Sequence, residues 1–218
     1  MKNPQKGFTL VEIAIVLVII GLLLGGILKG QEMITQAKTK NIIADFSGIS
    51  AAYHGYQDRY RAIPGDDNGA AARWTTAPAA VNGNGNGVVV GAYNADCTVV
   101  TPPESCHWWD HLRRSGFVAG GGSQQPFNAA AGMIGVQTGD GAGGAIFGGF
   151  SGLIICSANL PDKIAIAVDT QMDDGVPATG TVRGMLQTAP NPSLGPATTA
   201  TATYAETGTN VYILCRAM

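Results

Sequence analysis

The chain has 218 residues, 45% of them hydrophobic, 13% charged and 7% aromatic, with 31 glycines and a formal charge of -2. That length bounds one globular domain of modest size plus whatever the N-terminus does. A near-neutral chain with no basic stripe after Lys40 excludes the electrostatic footprint of nucleic-acid binding, and glycine at about twice its usual share, with few charges, points to long loops lying against their neighbours.

At the N-terminus "KGFTLVE" (6–12) opens an apolar run that continues as "IAIVLVIIGLLLGGIL" (13–28). Residues 8–28 carry one charge, on Glu12, with Lys2 and Lys6 before them and Lys29 after. As a helix they reach about 31 Å, which matches a hydrocarbon core of about 30 Å. A secretory signal peptide has a shorter apolar region followed by a small-residue cleavage site; here Lys29 leads into "GQEMITQAK" instead. The pattern predicts a membrane-spanning helix whose N-terminus stays in the cytoplasm with its lysines. Glu12 is the anomaly. A buried, unpaired carboxylate in lipid costs several kcal/mol on insertion scales, so it calls for a partner.

A short basic leader ending in Gly7, then "FTLVE", then the apolar run resembles the processing motif of the type IV pilin and type II secretion pseudopilin family. The resemblance implies cleavage between Gly7 and Phe8 by prepilin peptidase on the cytoplasmic face, and N-methylation of the new amine on Phe8. It makes Glu12 the acidic residue that registers subunits during assembly, and it implies an inner-membrane assembly platform with its ATPase as further partners. An ammonium at Phe8 and a carboxylate at Glu12 would then neutralise each other between neighbouring subunits in a low-dielectric core. Four more segments resemble recurring stretches of prepilin-like proteins: "YQDRYRAIPGDDNGAA" (56–71), "NGNGNG" (82–87), "WWDHLRRSGF" (108–117) and "VDTQMDDGVPATGTVRG" (168–184). One departure stands out. Many major pilins have a proline near the end of the apolar run, where this chain has Lys29. Gly21, Gly25 and Gly26 precede it, each weakening a helix by about 1 kcal/mol relative to Ala, so any loosening in a filament is expected across them.

After Lys29 the pattern becomes amphipathic. Ile34, Ala37, Ile42, Phe46, Ile49, Tyr53, Tyr56 and Tyr60 recur at helical steps, which predicts a helix face covering a core until Pro64 and Gly65 end it. The chain therefore divides into a leader (1–7), a membrane or filament-core helix (8–28), an amphipathic continuation (29–63) and a head (64–218). "IPGDDNGA" (63–70) is a turn cluster opening the head. "NGNGNG" (82–87) resembles the front half of a calcium loop but has no carboxylate, so a flexible turn is expected. "VVVGAY" (88–93) fits a short strand. "ESCHWWDHLRRSGF" (104–117) reads as a helix with Trp108, Leu112 and either Trp109 or Phe117 inward. His107 and His111 are spaced for chelation, but no Glu follows His107 and Cys106 suits a disulfide better; a helix face is the reading kept. "GDGAGGAIFGG" (139–149) lacks the Lys and Thr of a phosphate loop.

"FGGFSGLIIC" (147–156) contains a buried strand, and "LPDKIAIAVDTQMDDG" (160–175) a helix with Ile164, Val168 and Met172 on one face. Asp169, Asp173 and Asp174 gather at its C-terminal end, where the helix dipole disfavours anions. A calcium ion would offset that repulsion; equally, the carboxylates would cap the amides of their own turn. "GTVRGMLQT" (180–188) and "NVYILCRAM" (210–218) read as strands, joined by a low-complexity surface loop whose threonines suit O-linked sugar. Cys97, Cys106, Cys156 and Cys215 allow three pairings, or none if all are buried thiols. Cys97–Cys106, closing a short loop, and Cys156–Cys215, tying the C-terminal end inward, are preferred for an oxidising compartment.

The expected fold is α+β: a long N-terminal helix whose distal half packs on a small antiparallel sheet with short helices and long loops. No catalytic motif appears, and no cofactor beyond calcium is implied. The expected protein is a structural subunit, held in the inner membrane with its head outside the cytoplasm and then polymerised into a helical filament. That filament is an extracellular pilus or, alternatively, a periplasmic pseudopilus for type II secretion. From a different class, a single-pass membrane-anchored binding protein would also carry such a helix.

Overall fold

The computed structural model describes residues 9–139, 146–150, 152–195 and 198–218. The chain divides into two units, residues 1–37 and 38–218, and the first long element, α1 (Leu10–Tyr60), has residues in both. In the first unit α1 is continuous across Gly21, Gly25 and Gly26, and no proline interrupts it. Its side chains from Leu10 to Leu28 are exposed. The most apolar part has a mean hydropathy of 2.8 and is long enough to cross a membrane. A face of that kind is stable in water only when lipid or protein covers it.

The second unit is built around a four-stranded antiparallel sheet of β1 (Ile134–Thr138), β2 (Leu153–Pro161), β3 (Val182–Leu186) and β4 (Val211–Ala217), in the order β1-β2-β4-β3. Among the described residues, three helices accompany it besides the end of α1: α2 (Ala70–Arg73), α3 (Glu104–Arg114) and α4 (Asp162–Met172). Ile155, Leu160, Tyr212, Leu214, Val136 and Val182 share one core with Ile42, Phe46, Ile49 and Tyr56 of α1, Trp108, Trp109 and Leu112 of α3, and Ile164 and Val168 of α4. On the other face Ile154, Cys156, Ala158, Ile213 and Cys215 meet Tyr93, Ile146, Phe147, Phe150 and Leu194. Burial on both faces explains why "LIIC" and "YILC" are apolar without alternation. Cys156 and Cys215 are directly opposed in the β2–β4 register, and a disulfide joins them; a second disulfide joins Cys97 to Cys106 at the start of α3. A bulge in β2 between Ser157 and Leu160 places Asn159 at φ 57°.

The structure corrects several expectations. The stripe of α1 that reaches a core starts at Thr39 and Ile42; Ile34 and Ala37, placed on that stripe from the sequence, are exposed. α1 ends at Tyr60 rather than just before Pro64, because Arg61 takes the left-handed conformation (φ 54°) after its amide closes a last turn on Gln57. Residues 88–93 are not a strand: the amides of Val88, Val89 and Val90 donate to the side chains of Asn86, Thr138 and Glu104, so no ladder forms. Trp109 is buried while Phe117 is 38% exposed, which settles the third inward residue of α3. β1 (Ile134–Thr138) has no counterpart among the strands expected from the sequence.

"NGNGNG" is not a flexible turn. The amides of Gly85, Asn86 and Gly87 donate to the Asp66 carboxylate at 2.7–3.1 Å. A Cβ on Gly83 would lie 2.3 Å from the Asp66 backbone, so only glycine lets the two segments meet. Beside it Asp67 accepts from the Tyr56 hydroxyl at 2.5 Å and pairs with Arg73. This cluster joins the end of α1 to the head loops.

Candidate functional site

Gly7 and Phe8, the expected cleavage and methylation positions, lie outside the described residues. Glu12 stands in the first turn of α1, where the local sequence builds a reciprocal cap. Thr9 precedes the helix; its amide and its hydroxyl both donate to Glu12 Oε2, at 2.8 and 2.7 Å, and the Glu12 amide donates to Thr9 Oγ1 at 3.3 Å. This is the T-x-x-E capping box. Its effect is electrostatic as well as geometric. The first amides of a helix have no partners within it, and in lipid no water substitutes for them. A carboxylate at the third helical position satisfies one of them and sits at the positive end of the helix dipole. The cost of keeping Glu12 in an apolar segment is lowered within its own subunit. The sequence signal for this cap is Thr9-Leu10-Val11-Glu12, a Thr three residues before a Glu at the head of an apolar run.

The three aspartates of the 160–175 segment are brought together. Asp169, Asp173 and Asp174 each place a carboxylate oxygen so that all lie within 4.8 Å of one another. Asp173 is the C-cap of α4, and its Oδ2 accepts the amides of Thr181 and of Val182, the latter at 2.9 Å. Asp174 accepts the Val176 amide at 2.9 Å and the Thr179 hydroxyl at 2.5 Å. Asp169 is fully buried and accepts the Tyr204 hydroxyl at 2.6 Å.

His107 and His111 do not make a chelating pair. His111 Nδ1 accepts the Gly65 amide at 2.9 Å, so its proton is on Nε2, which lies 2.8 Å from the Val81 carbonyl. Both ring nitrogens are engaged by backbone. Burial pushes the His111 pKa down to about 4, keeping the ring neutral. A cleft of about 540 Å³ lies over the same helix and is lined by Val81, Val99, His107, Asp110, Arg113 and Arg114. Its charged groups serve internal contacts: Arg114 pairs with Asp110 at 2.6 Å, and Arg113 donates to the carbonyls of Gly122 and Gln124.

Residues 2–28 match the family model described as the prokaryotic N-terminal methylation motif, the signature of type IV pilins and pseudopilins. The motif indicates the type IV pilin or pseudopilin class, a structural rather than enzymatic one. It implies processing by prepilin peptidase and filament assembly, and with the long apolar helix it fits anchoring in a membrane before assembly. Comparison with curated proteins and with solved structures gives no match.

Proposed function

We propose that the chain is the subunit of a type IV pilus-like filament. It waits in the inner membrane with its N-terminus in the cytoplasm, is cut after Gly7 by prepilin peptidase, and is methylated at Phe8. An assembly platform and its ATPase then add it to a helical filament whose core is made of apolar helices. The observation that carries this reading is the first part of α1: an exposed apolar helix of membrane length whose one carboxylate is capped at its N-terminal turn. Contacts with neighbouring helices replace lipid contacts there, so leaving the bilayer need not be uphill. Head-to-tail contacts that do not close into a ring then propagate as a filament. The two disulfides support a head that matures in an oxidising compartment.

In this scheme Glu12 exchanges partners. In the membrane it caps its own helix through Thr9; in the filament it pairs with the Phe8 amine of a neighbour. The test has two parts. N-terminal peptide mass analysis of the processed protein is expected to find N-methylated Phe8 as the first residue; a start after Leu28 would overturn the reading. Shearing cells and sequencing the released fibres is expected to recover this chain from the surface. Recovery from periplasmic assemblies alone, with loss of secretion on deletion, would assign it to a secretion pseudopilus.

A further inference from the structure

We propose that the four Asn-Gly pairs of this chain form one latent deamidation site, held silent by Asp66 and Asp67. The pairs are Asn68-Gly69, Asn82-Gly83, Asn84-Gly85 and Asn86-Gly87, and the sequence has no other. Asparagine before glycine is a labile amide, because a residue without Cβ leaves its own nitrogen free to attack the preceding side chain. All four asparagines are exposed to water. The attacking nitrogens, by contrast, are all engaged. The Gly69 amide donates to Asp67 Oδ1 at 2.8 Å and the Gly83 amide to the Asp67 carbonyl at 3.0 Å. The Gly85 and Gly87 amides donate to Asp66 Oδ1 and Oδ2, each at 2.7 Å. Both aspartates are buried. Two neighbouring residues thus hold the nitrogen of every Asn-Gly pair, although the pairs fall in two separate segments.

The chemistry gives that placement its consequence. At Asn84, ring closure needs the Gly85 nitrogen to give up its proton and bond to the Asn84 Cγ. The bond from Cγ to the side-chain nitrogen then breaks, and that nitrogen leaves as ammonia with the proton. Water next opens the cyclic imide at either carbonyl, leaving aspartate or isoaspartate. A nitrogen whose proton is held by a carboxylate must lose that bond before it can turn to Cγ, and its anion would form beside an existing negative charge. Closure is therefore confined to molecules in which the turn has opened locally. The product then resists reclosing. Isoaspartate inserts a methylene into the backbone, and the new carboxylate stands near Asp66, so conversion at Asn84 frees the Gly87 amide and uncovers Asn86 in turn. Asp67 also takes the hydroxyl of Tyr56 near the end of α1, at 2.5 Å. The cluster is a one-way chemical record of how often this junction opens.

The test incubates the full oxidised chain in detergent, in mildly alkaline buffer with or without guanidinium chloride, and maps deamidated peptides by mass. Conversion at Asn82, Asn84 and Asn86 is expected to be about a hundredfold slower in the native protein than in the denatured one. Hydrogen exchange at the Gly85 and Gly87 amides, which removes the same proton, is expected to be slowed to a similar degree. Asp66→Asn, which keeps the shape and removes the charge, is expected to speed conversion at Asn84 and Asn86 by about tenfold or more while Asn68 stays guarded by Asp67. Equal rates in native and denatured wild type, or unprotected Gly85 and Gly87 amides, would overturn the proposal whether or not the variant folds. So would a cooperatively unfolding Asp66→Asn protein with wild-type rates at Asn84 and Asn86. Equal acceleration at all four asparagines in that protein would assign the protection to the fold as a whole and also overturn it.

Discussion

Glu12 and His111 show how single residues here are decided by the backbone groups around them. A carboxylate in an apolar helix looks like a defect until its partner is found, and the nearest one is three residues back, in Thr9. His111 is the reverse case: a residue spaced for metal binding whose two nitrogens are both engaged by main chain. Burial disfavours the charged form in the folded head, and protonating Nδ1 would also break its bond from the Gly65 amide. The pH dependence follows. The folded pKa, about 4, lies below the ordinary value of about 6.5, so the unfolded chain binds more protons between those limits. Stability from this group is complete above pH 6.5 and is lost as pH falls toward 4, by about 3 kcal/mol. Urea unfolding at pH 7 and pH 4.5 is expected to show this loss in wild type and a much smaller one in His111→Gln. An unchanged slope in the variant would contradict it.

Among elements, α1 was the most legible in the sequence, because its signals are local: length, lack of charge, and an apolar stripe from Ile42 to Tyr56 at helical spacing. The helices over 104–114 and 162–172 and the last two strands were legible for the same reason. What escaped was held by distant partners. β1, "IGVQT", is short and contains Gly135 and Gln137, and it is defined by pairing with β2 rather than by its own composition. "VVVGAY" has strand composition, yet its amides go to side chains up to 49 positions away. "NGNGNG" looked mobile because its partner, Asp66, lies in another turn. The disulfides act at this scale too. Cys156–Cys215 closes a separation of 59 residues and Cys97–Cys106 one of 9, so chain entropy assigns them about 4 and about 2.5 kcal/mol. Replacing each pair by alanines and measuring urea unfolding is expected to keep that order; the reverse order would show that strain or residual structure dominates.

At the scale of the whole molecule, two kinds of surface are combined in one chain. The head buries both faces of its sheet and ties its loops with side-chain bonds, while the first unit exposes an apolar helix that only lipid or other subunits satisfy. That division was readable from hydropathy alone. The clustering of Asp169, Asp173 and Asp174 was readable as well, but not the burial of Asp169, which depends on Tyr204 and the neighbouring strands. The central claim is that Glu12 moves from an internal cap to a contact between subunits. Glu12→Ala tests it directly, in cells fractionated into membrane-held subunit and sheared filament. The variant is expected to be inserted and cleaved at Gly7 as in wild type, since removing a charge from lipid lowers the cost of residence. Filament yield is expected to fall sharply, because the neighbour's ammonium would be buried unpaired at a cost of about 3–5 kcal/mol per contact. Wild-type filament yield from Glu12→Ala would contradict the account and leave Glu12 as a helix cap alone.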